Sequence, residues 1–312
     1  MNFPFELRTD TRFDAAGFGT NAVDFLIRVP VYPEYDSKVE LTEYIQAAGG
    51  EVATTMAGLR RLGLATAYAG RFGDDAAGDI GWRSMTDDGV DMGFAERIGG
   101  ARTQIAFIVI DERTGERTVI WQRDKLLGYT ADEAPVEAAA SAKVLHFTPH
   151  DTAACLVMAR AARAAGAIVS IDIDNVFDGV EDVLANVDIL IASAEFPSKF
   201  LGIDDTRTAL AELQTRFGCK VAGVTLGAAG SLLRCQETYI ETAGFAVPGG
   251  CQDTTGAGDS FRVGLLYGLL TGESVETSAR MANAVAALKC RSLGARTALP
   301  TEGDLRSFLQ SE

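Results

Sequence analysis

Histidine is nearly absent from this 312-residue chain: only His146 and His150 occur. Two are too few for a His-based metal cage. Pro149 and a strand-like approach argue against an i, i+4 metal pair on a helix. His150, just past a strand end, keeps a minor claim to substrate contact. Cysteine is also scarce. Cys155, Cys219, Cys235, Cys251 and Cys290 are odd in number, scattered and without a C-x-x-C pair. They read as reduced thiols of a cytoplasmic protein, not as a disulfide framework. No apolar run is long enough to span a bilayer, and the opening MNFPFELRTDTRFDA lacks the apolar core of a secretion signal. Lys and Arg number 28 against 43 Asp and Glu, for a net charge of −15. With no basic stripe to offset that balance, a nucleic-acid partner is excluded. A bound phosphate would need backbone amides, a metal or a few local basic side chains. The P-loop string G-x-x-x-x-G-K-[ST] is missing, and GFGTNA lacks the third glycine of a dinucleotide fingerprint.

What is present is ample core material: 47% of residues are hydrophobic. From about residue 142 short β-rich runs alternate with helical ones. KVLHF (143–147) precedes the Ala-rich TAACLVMARAARAAG. IVSIDI (168–173), VDILIA (187–192), a helix near 206–217 and VAGVTL (221–226) follow. This alternation predicts an α/β fold with a doubly wound, mainly parallel sheet and helices on both faces. Such sheets bind ligands at the carboxyl ends of their strands. In the N-terminal half, helices are expected near 51–62 and 75–87. Two β-rich segments, roughly 24–46 and 93–122, interrupt them. The second reads as two strands joined by a turn over 112–116, with Gly115 in the bend. These segments are expected to form a small sheet packed over one main domain; the alternative is extra edge strands.

Residues 251–261, CQDTTGAGDSF, set glycines beside a lone carboxylate where an apolar helix starts. A helix N-terminus presents free N–H groups, and glycine lets the backbone approach an anion. Gly256, Ala257 and Gly258 can thus form an anion hole. Asp259 should repel an anion there, unless it removes a proton from a hydroxyl that attacks phosphorus. Helix capping is the plainer explanation for any single G-x-G-D.

The nine residues Asp253 to Phe261 resemble the C-terminal signature of the ribokinase-like (PfkB) family of carbohydrate and nucleoside kinases. The resemblance runs through GFGTNAVD (17–24), AAGGEVATTMAGLRRLG (47–63), AGRFGDDAAG (69–78), VTLGAAG (224–230) and ANAVAALKCRSLGA (282–295). It implies a ribokinase-like fold with a lid, and an ATP-dependent kinase acting on a hydroxyl of a small sugar or sugar acid. Asp259 would be the catalytic base and Gly256, Ala257 and Gly258 the anion hole. Asp24 and the Gly49–Gly50 pair would hold the acceptor, with Thr54 nearby and Arg102 and Gln104 reaching in from the lid. Thr225, Gly227 and Gly230 would lie along the nucleotide, and Asn283 near its adenine. The resemblance also implies Mg2+, a monovalent cation such as K+ beside the loop preceding Gly256, and a homodimer formed through the lid. Two departures stand out. Thr54 replaces an Asn, and Glu51 stands where Asn is common. The usual N-x-x-E reads SAEF (193–196), so Ser193 takes the Asn position and the metal ligands stay unassigned. Asp172 and Asp174 mark a strand end, from which they could orient phosphate-bound Mg2+ through water. Two other functions remain open. A nucleoside kinase could use Phe25, Phe107 and Trp121 as a base slot, although those side chains also suit the lid core or interface. A nucleotide-binding regulator without turnover would fit the lost N-x-x-E.

Overall fold

The computed structural model describes residues 1–312. Its strands, in chain order, are β1 (Phe13–Phe18), β2 (Ala22–Val29), β3 (Glu43–Gly49), β4 (Thr66–Ala69), β5 (Arg71–Gly73), β6 (Glu96–Ile98), β7 (Ile105–Asp111), β8 (Arg117–Gln122), β9 (Ala142–Phe147), β10 (Ile168–Ile173), β11 (Ile189–Ser193), β12 (Val221–Thr225), β13 (Ser231–Cys235) and β14 (Thr238–Thr242). Eight of them make the main sheet, in the order β14-β13-β12-β11-β10-β9-β1-β4. The strands are parallel from β4 to β12, and an antiparallel hairpin, β13–β14, closes one edge. The apolar runs of β9 to β12 are buried on both faces because helices cover both. Helices Glu51–Arg61, Ala257–Leu270 and Val275–Lys289 pack on one face, and Thr152–Ala164 and Thr206–Phe217 on the other. No helix is long and apolar enough to cross a membrane.

The chain runs from β1 outward to β4, then returns to lay β9 on the other side of β1. This reversal opens a crevice beyond the carboxyl ends of β1 and β9, the usual ligand position in such sheets. Beyond β1 the backbone is pinned. Tyr68 Oη donates to Gly19 O at 2.7 Å, and Asn21 Nδ2 donates to Tyr68 Oη and Arg71 O, both at 2.9 Å.

The small sheet is separate, with the order β3-β2-β7-β8. The turn after β7 has Gly115 at φ 71°, as the sequence suggested. One expected boundary is corrected. Residues 96–98 pair with β5, not with the lid, because Arg71–Gly73 offers them a parallel edge. Strand alternation gives the lid two faces. Leu26, Ala106, Ile108 and Ile110 face the main domain and pack with Leu293. Phe25 and Phe107 stack at 5.0 Å on the other face, beside Tyr44.

Helices Ala257–Leu270 and Val275–Lys289 lie close because glycines face the contact. A Cβ on Gly264 would sit 2.5 Å from Ala282 Cα, and one on Gly268 would sit 2.2 Å from Ser278 Oγ. Backbone cannot yield as a side-chain tip can. Gly264→Ala should therefore cost about 1–3 kcal/mol despite alanine's better helix propensity. Urea denaturation should show a lower midpoint with an unchanged slope; a stabilised variant would contradict this packing.

Candidate active site

Gly256 is the N-cap of helix Ala257–Leu270 and adopts the left-handed φ of 75°. Its Cα lies so close to Ala295 that a Cβ would sit 2.8 Å from Ala295 Cβ. Glycine is required on both counts. Beyond it, the N–H groups of Gly258 and Asp259 have no carbonyl partner, whereas Ala257 N bonds Thr254 O and Ser260 N bonds Gly256 O. The buried hydroxyls of Thr255 and Ser260 also lack partners. These free donors at a helix start can receive an anion.

Asp259 is half-buried at this mouth. Burial, then the Asp172 and Glu51 carboxylates, hold its pKa well above the ordinary range; Arg262 and Arg117 pull the other way. Arg262, one helical turn on, forms a buried ion pair with Asp172 at the end of β10 and donates Nη2 to Ile191 O at 3.1 Å. Asp172 is thus engaged by a guanidinium, while Asp174 is exposed. Glu51, first residue of its helix, accepts from Thr20 Oγ1 at 3.3 Å and pairs with His150 Nε2 at 3.1 Å. Trp121, on the inner lid face and 57% exposed, stands edge-on to His150 with ring centroids 6.3 Å apart. His146 is elsewhere: it is buried in β9 with Nδ1 on Ser170 Oγ at 3.1 Å, and burial pushes it down to about 3.

Asp24, on the inner lid face, lies directly against Gly49: a Cβ there would meet Asp24 Oδ2 at 2.1 Å. The residue is 4% exposed, and its carboxylate receives no hydrogen bond from the chain. Burial pushes it up to about 6, with Arg296 the largest opposing influence. Arg296 is itself buried. It donates to Gly49 O, to Thr54 Oγ1 at 3.4 Å and to Ser84 Oγ at 3.2 Å. Thr54 is fully buried beneath this guanidinium. Lid residues also reach the loop that leads into Gly256. Arg117 Nη1 donates to Thr254 Oγ1 at 2.8 Å, and Arg28 Nη2 donates to Gln252 Oε1 at 3.2 Å.

The structure therefore brings Asp24, Gly49, Gly50, Gly256, Ala257, Gly258 and Asp259 to one crevice, and adds Glu51, His150, Arg117, Arg262 and Arg296. Arg102 does not join them. It lines a cavity of about 460 Å3 at the lid base with Ile105 and Gln122, residues of the strand face opposite Asp24. Gln104 stands next to that segment with its Oε1 buried and unpartnered. Ser193 and Thr225 are paired in register at the carboxyl ends of β11 and β12, and Gly227 is exposed just beyond. Gly230 serves the turn into β13: its φ is 102° and a Cβ would meet Thr242 O at 2.1 Å. Asn283 is buried and donates to Ser231 Oγ at 3.0 Å and Ala279 O at 3.1 Å. It ties its helix to β13. Glu195 pairs with Lys199 at 2.6 Å on the surface.

An unpaired buried carboxylate is a stability cost at neutral pH. Asp24 has a folded-state pKa near 6 against an ordinary value of 3.8, so its cost is absent below the lower value and complete above the higher. Asp24→Asn should stabilise the protein above about pH 6, by up to about 3 kcal/mol, and change little below about pH 4. Urea denaturation across that range checks it; equal effects at both ends would refute the ionised, unpartnered state.

Residues 18–302 match the pfkB family of carbohydrate kinases. The chain is 30% identical to fructokinase-1 of Zea mays, over 94% of this chain and 96% of that one. Its fold superposes on a putative ribokinase from Agrobacterium tumefaciens with a TM-score of 0.86, at 25% identity, over 96% of this chain and 99% of that one. Arabidopsis thaliana ribokinase, in a structure with ribose and ATP, gives 0.81 at 23% identity, over 96% and 99%. A family match that takes in the lid, the crevice and the glycine-rich helix start together leaves one conclusion: this chain belongs to the pfkB carbohydrate kinases.

Proposed function

We propose that the enzyme transfers the γ-phosphoryl group of ATP to a hydroxyl of a small sugar or sugar acid, with Asp259 as general base. One observation carries this reading. Two unpaired N–H groups and a carboxylate share the first turn of one helix, and Arg117 couples them electrostatically to a second carboxylate, Asp24, that has no protein partner. Donors suit the phosphoryl group, and the unpartnered Asp24 suits acceptor hydroxyls. The attacking hydroxyl gives its proton to Asp259 while its oxygen bonds phosphorus. The bond from phosphorus to the β-phosphate oxygen breaks, and ADP leaves. Mg·ATP is the donor substrate; its metal neutralises phosphate charge in a crevice rich in carboxylates. The free N–H groups of Gly258 and Asp259 stabilise the moving charge. Arg117, held by Thr254 and electrostatically coupled to both Asp24 and Asp259, adds a cation from the lid side. The lid limits water access to the reacting centre.

A nucleoside acceptor is the second reading. It is favoured by the exposed Trp121 beside His150 and Phe177, whose rings are 5.3 Å apart. Phe25 and Phe107 do not contribute, since they stack on the outer face. An ADP-release screen over sugars, sugar acids and nucleosides separates the two.

With an acceptor from that screen, Asp259→Asn should retain ATP binding and lose about 10²–10⁴-fold in kcat. Asn caps a helix nearly as well as Asp, so near-normal turnover would overturn the assignment.

The outer lid face, with Phe25, Tyr44 and Phe107, also supports a two-fold dimer through the lid. Light scattering should give a dimer at micromolar concentration and a monomer for Phe107→Asp. A monomeric parent protein would refute it.

A further inference from the structure

Lys289 ends helix Val275–Lys289 with a side chain fully removed from water. Its Nζ donates to Asp253 O at 2.8 Å and lies 3.6 Å from Asp253 Oδ2. Asp253 is equally buried. Its Oδ1 accepts from Thr255 N and its Oδ2 from Gly294 N, both at 2.8 Å. The ammonium thus sits against a carbonyl and a carboxylate of the loop that leads into Gly256. Burial lowers its pKa, and the Asp253 charge resists that fall.

A carbonyl oxygen and a carboxylate oxygen in a buried loop are the ligands that a monovalent cation would use. Ammonium and K+ have nearly the same radius and charge. Here one covalently tethered cation already satisfies those oxygens, and Arg117 adds a second positive charge in the neighbourhood. A free cation at the same oxygens would displace the ammonium or be repelled by it. The residues present therefore do not fit the K+ implied by the family resemblance.

We propose that Lys289 is a built-in monovalent cation that organises the 251–256 loop, and that this protein has no K+ requirement. The proposal concerns loop structure and holds whatever the acceptor is. The test compares thermal unfolding in potassium chloride and tetramethylammonium chloride at matched ionic strength, with Tl-205 NMR to detect bound Tl+ as a K+ probe. The parent protein should give equal midpoints in both salts and no bound Tl+. Lys289→Ala, which opens room for an ion, should unfold at lower temperature. It should recover at least half of the loss, saturably, in K+ or ammonium but not in tetramethylammonium. K+-selective stabilisation of the parent, or bound Tl+ on it, overturns the proposal. So does a folded Lys289→Ala variant that K+ does not rescue. If that variant does not fold, the parent measurements decide alone. Neither measurement uses phosphoryl transfer, so a negative result leaves the kinase reading untouched.

Discussion

Asp253 is the point on which the crevice turns. It is cut off from water, and four contacts converge on it: Thr255 N, Gly294 N and the Lys289 ammonium at both its carbonyl and its carboxylate. A buried charge is tolerated only with this degree of satisfaction. The three residues Gly294 to Arg296 then extend the constraint in two directions. Ala295 packs on Gly256 and so fixes the helix start. Arg296 bonds Gly49 O and so fixes the end of β3 against which Asp24 rests. The glycine-rich helix start and Asp24 are thereby held at a set separation by one short piece of chain, as the proposed transfer requires.

The crevice balances opposed electrical demands. It gathers Asp24, Glu51, Asp172 and Asp259, and several of these carboxyls are pushed upward by burial and by one another. Three arginines counter them from different elements: Arg262 from the helix below, Arg296 from the segment after the last long helix, and Arg117 from the lid. None was visible as a site residue in the sequence. Each owes its role to the distant residue it meets, Asp172, Gly49 or Thr254, and no local pattern encodes such a meeting.

What could be read was local. The glycine-rich helix start needs only its own nine residues to be recognised, and strand–helix alternation gave the main sheet from residue 142 onward. The lid was legible as β-rich sequence, but its limits were not: 96–98 pairs elsewhere because β5 supplies an edge that only the folded chain provides. Thr54 and Asn283 matched a pattern, but the partners that hold them were not legible: Arg296 meets Thr54, and Ser231 with Ala279 holds Asn283. Arg102 precedes β7 and lines the cavity with Ile105 and Gln122, a placement that its own sequence does not encode.

The lid is assembled from two separated stretches of chain, with β2 and β7 paired in parallel and Val23 set opposite Ile105. Such a pairing carries a loop-closure entropy that a local hairpin does not, and the intervening β4, β5 and helices bridge its two stretches. The outer edge of the small sheet is β8, every residue of which is exposed. A cover held by so small an apolar cluster has fewer buried contacts to lose than the parallel sheet beneath, which is the physical condition for opening locally ahead of the main domain.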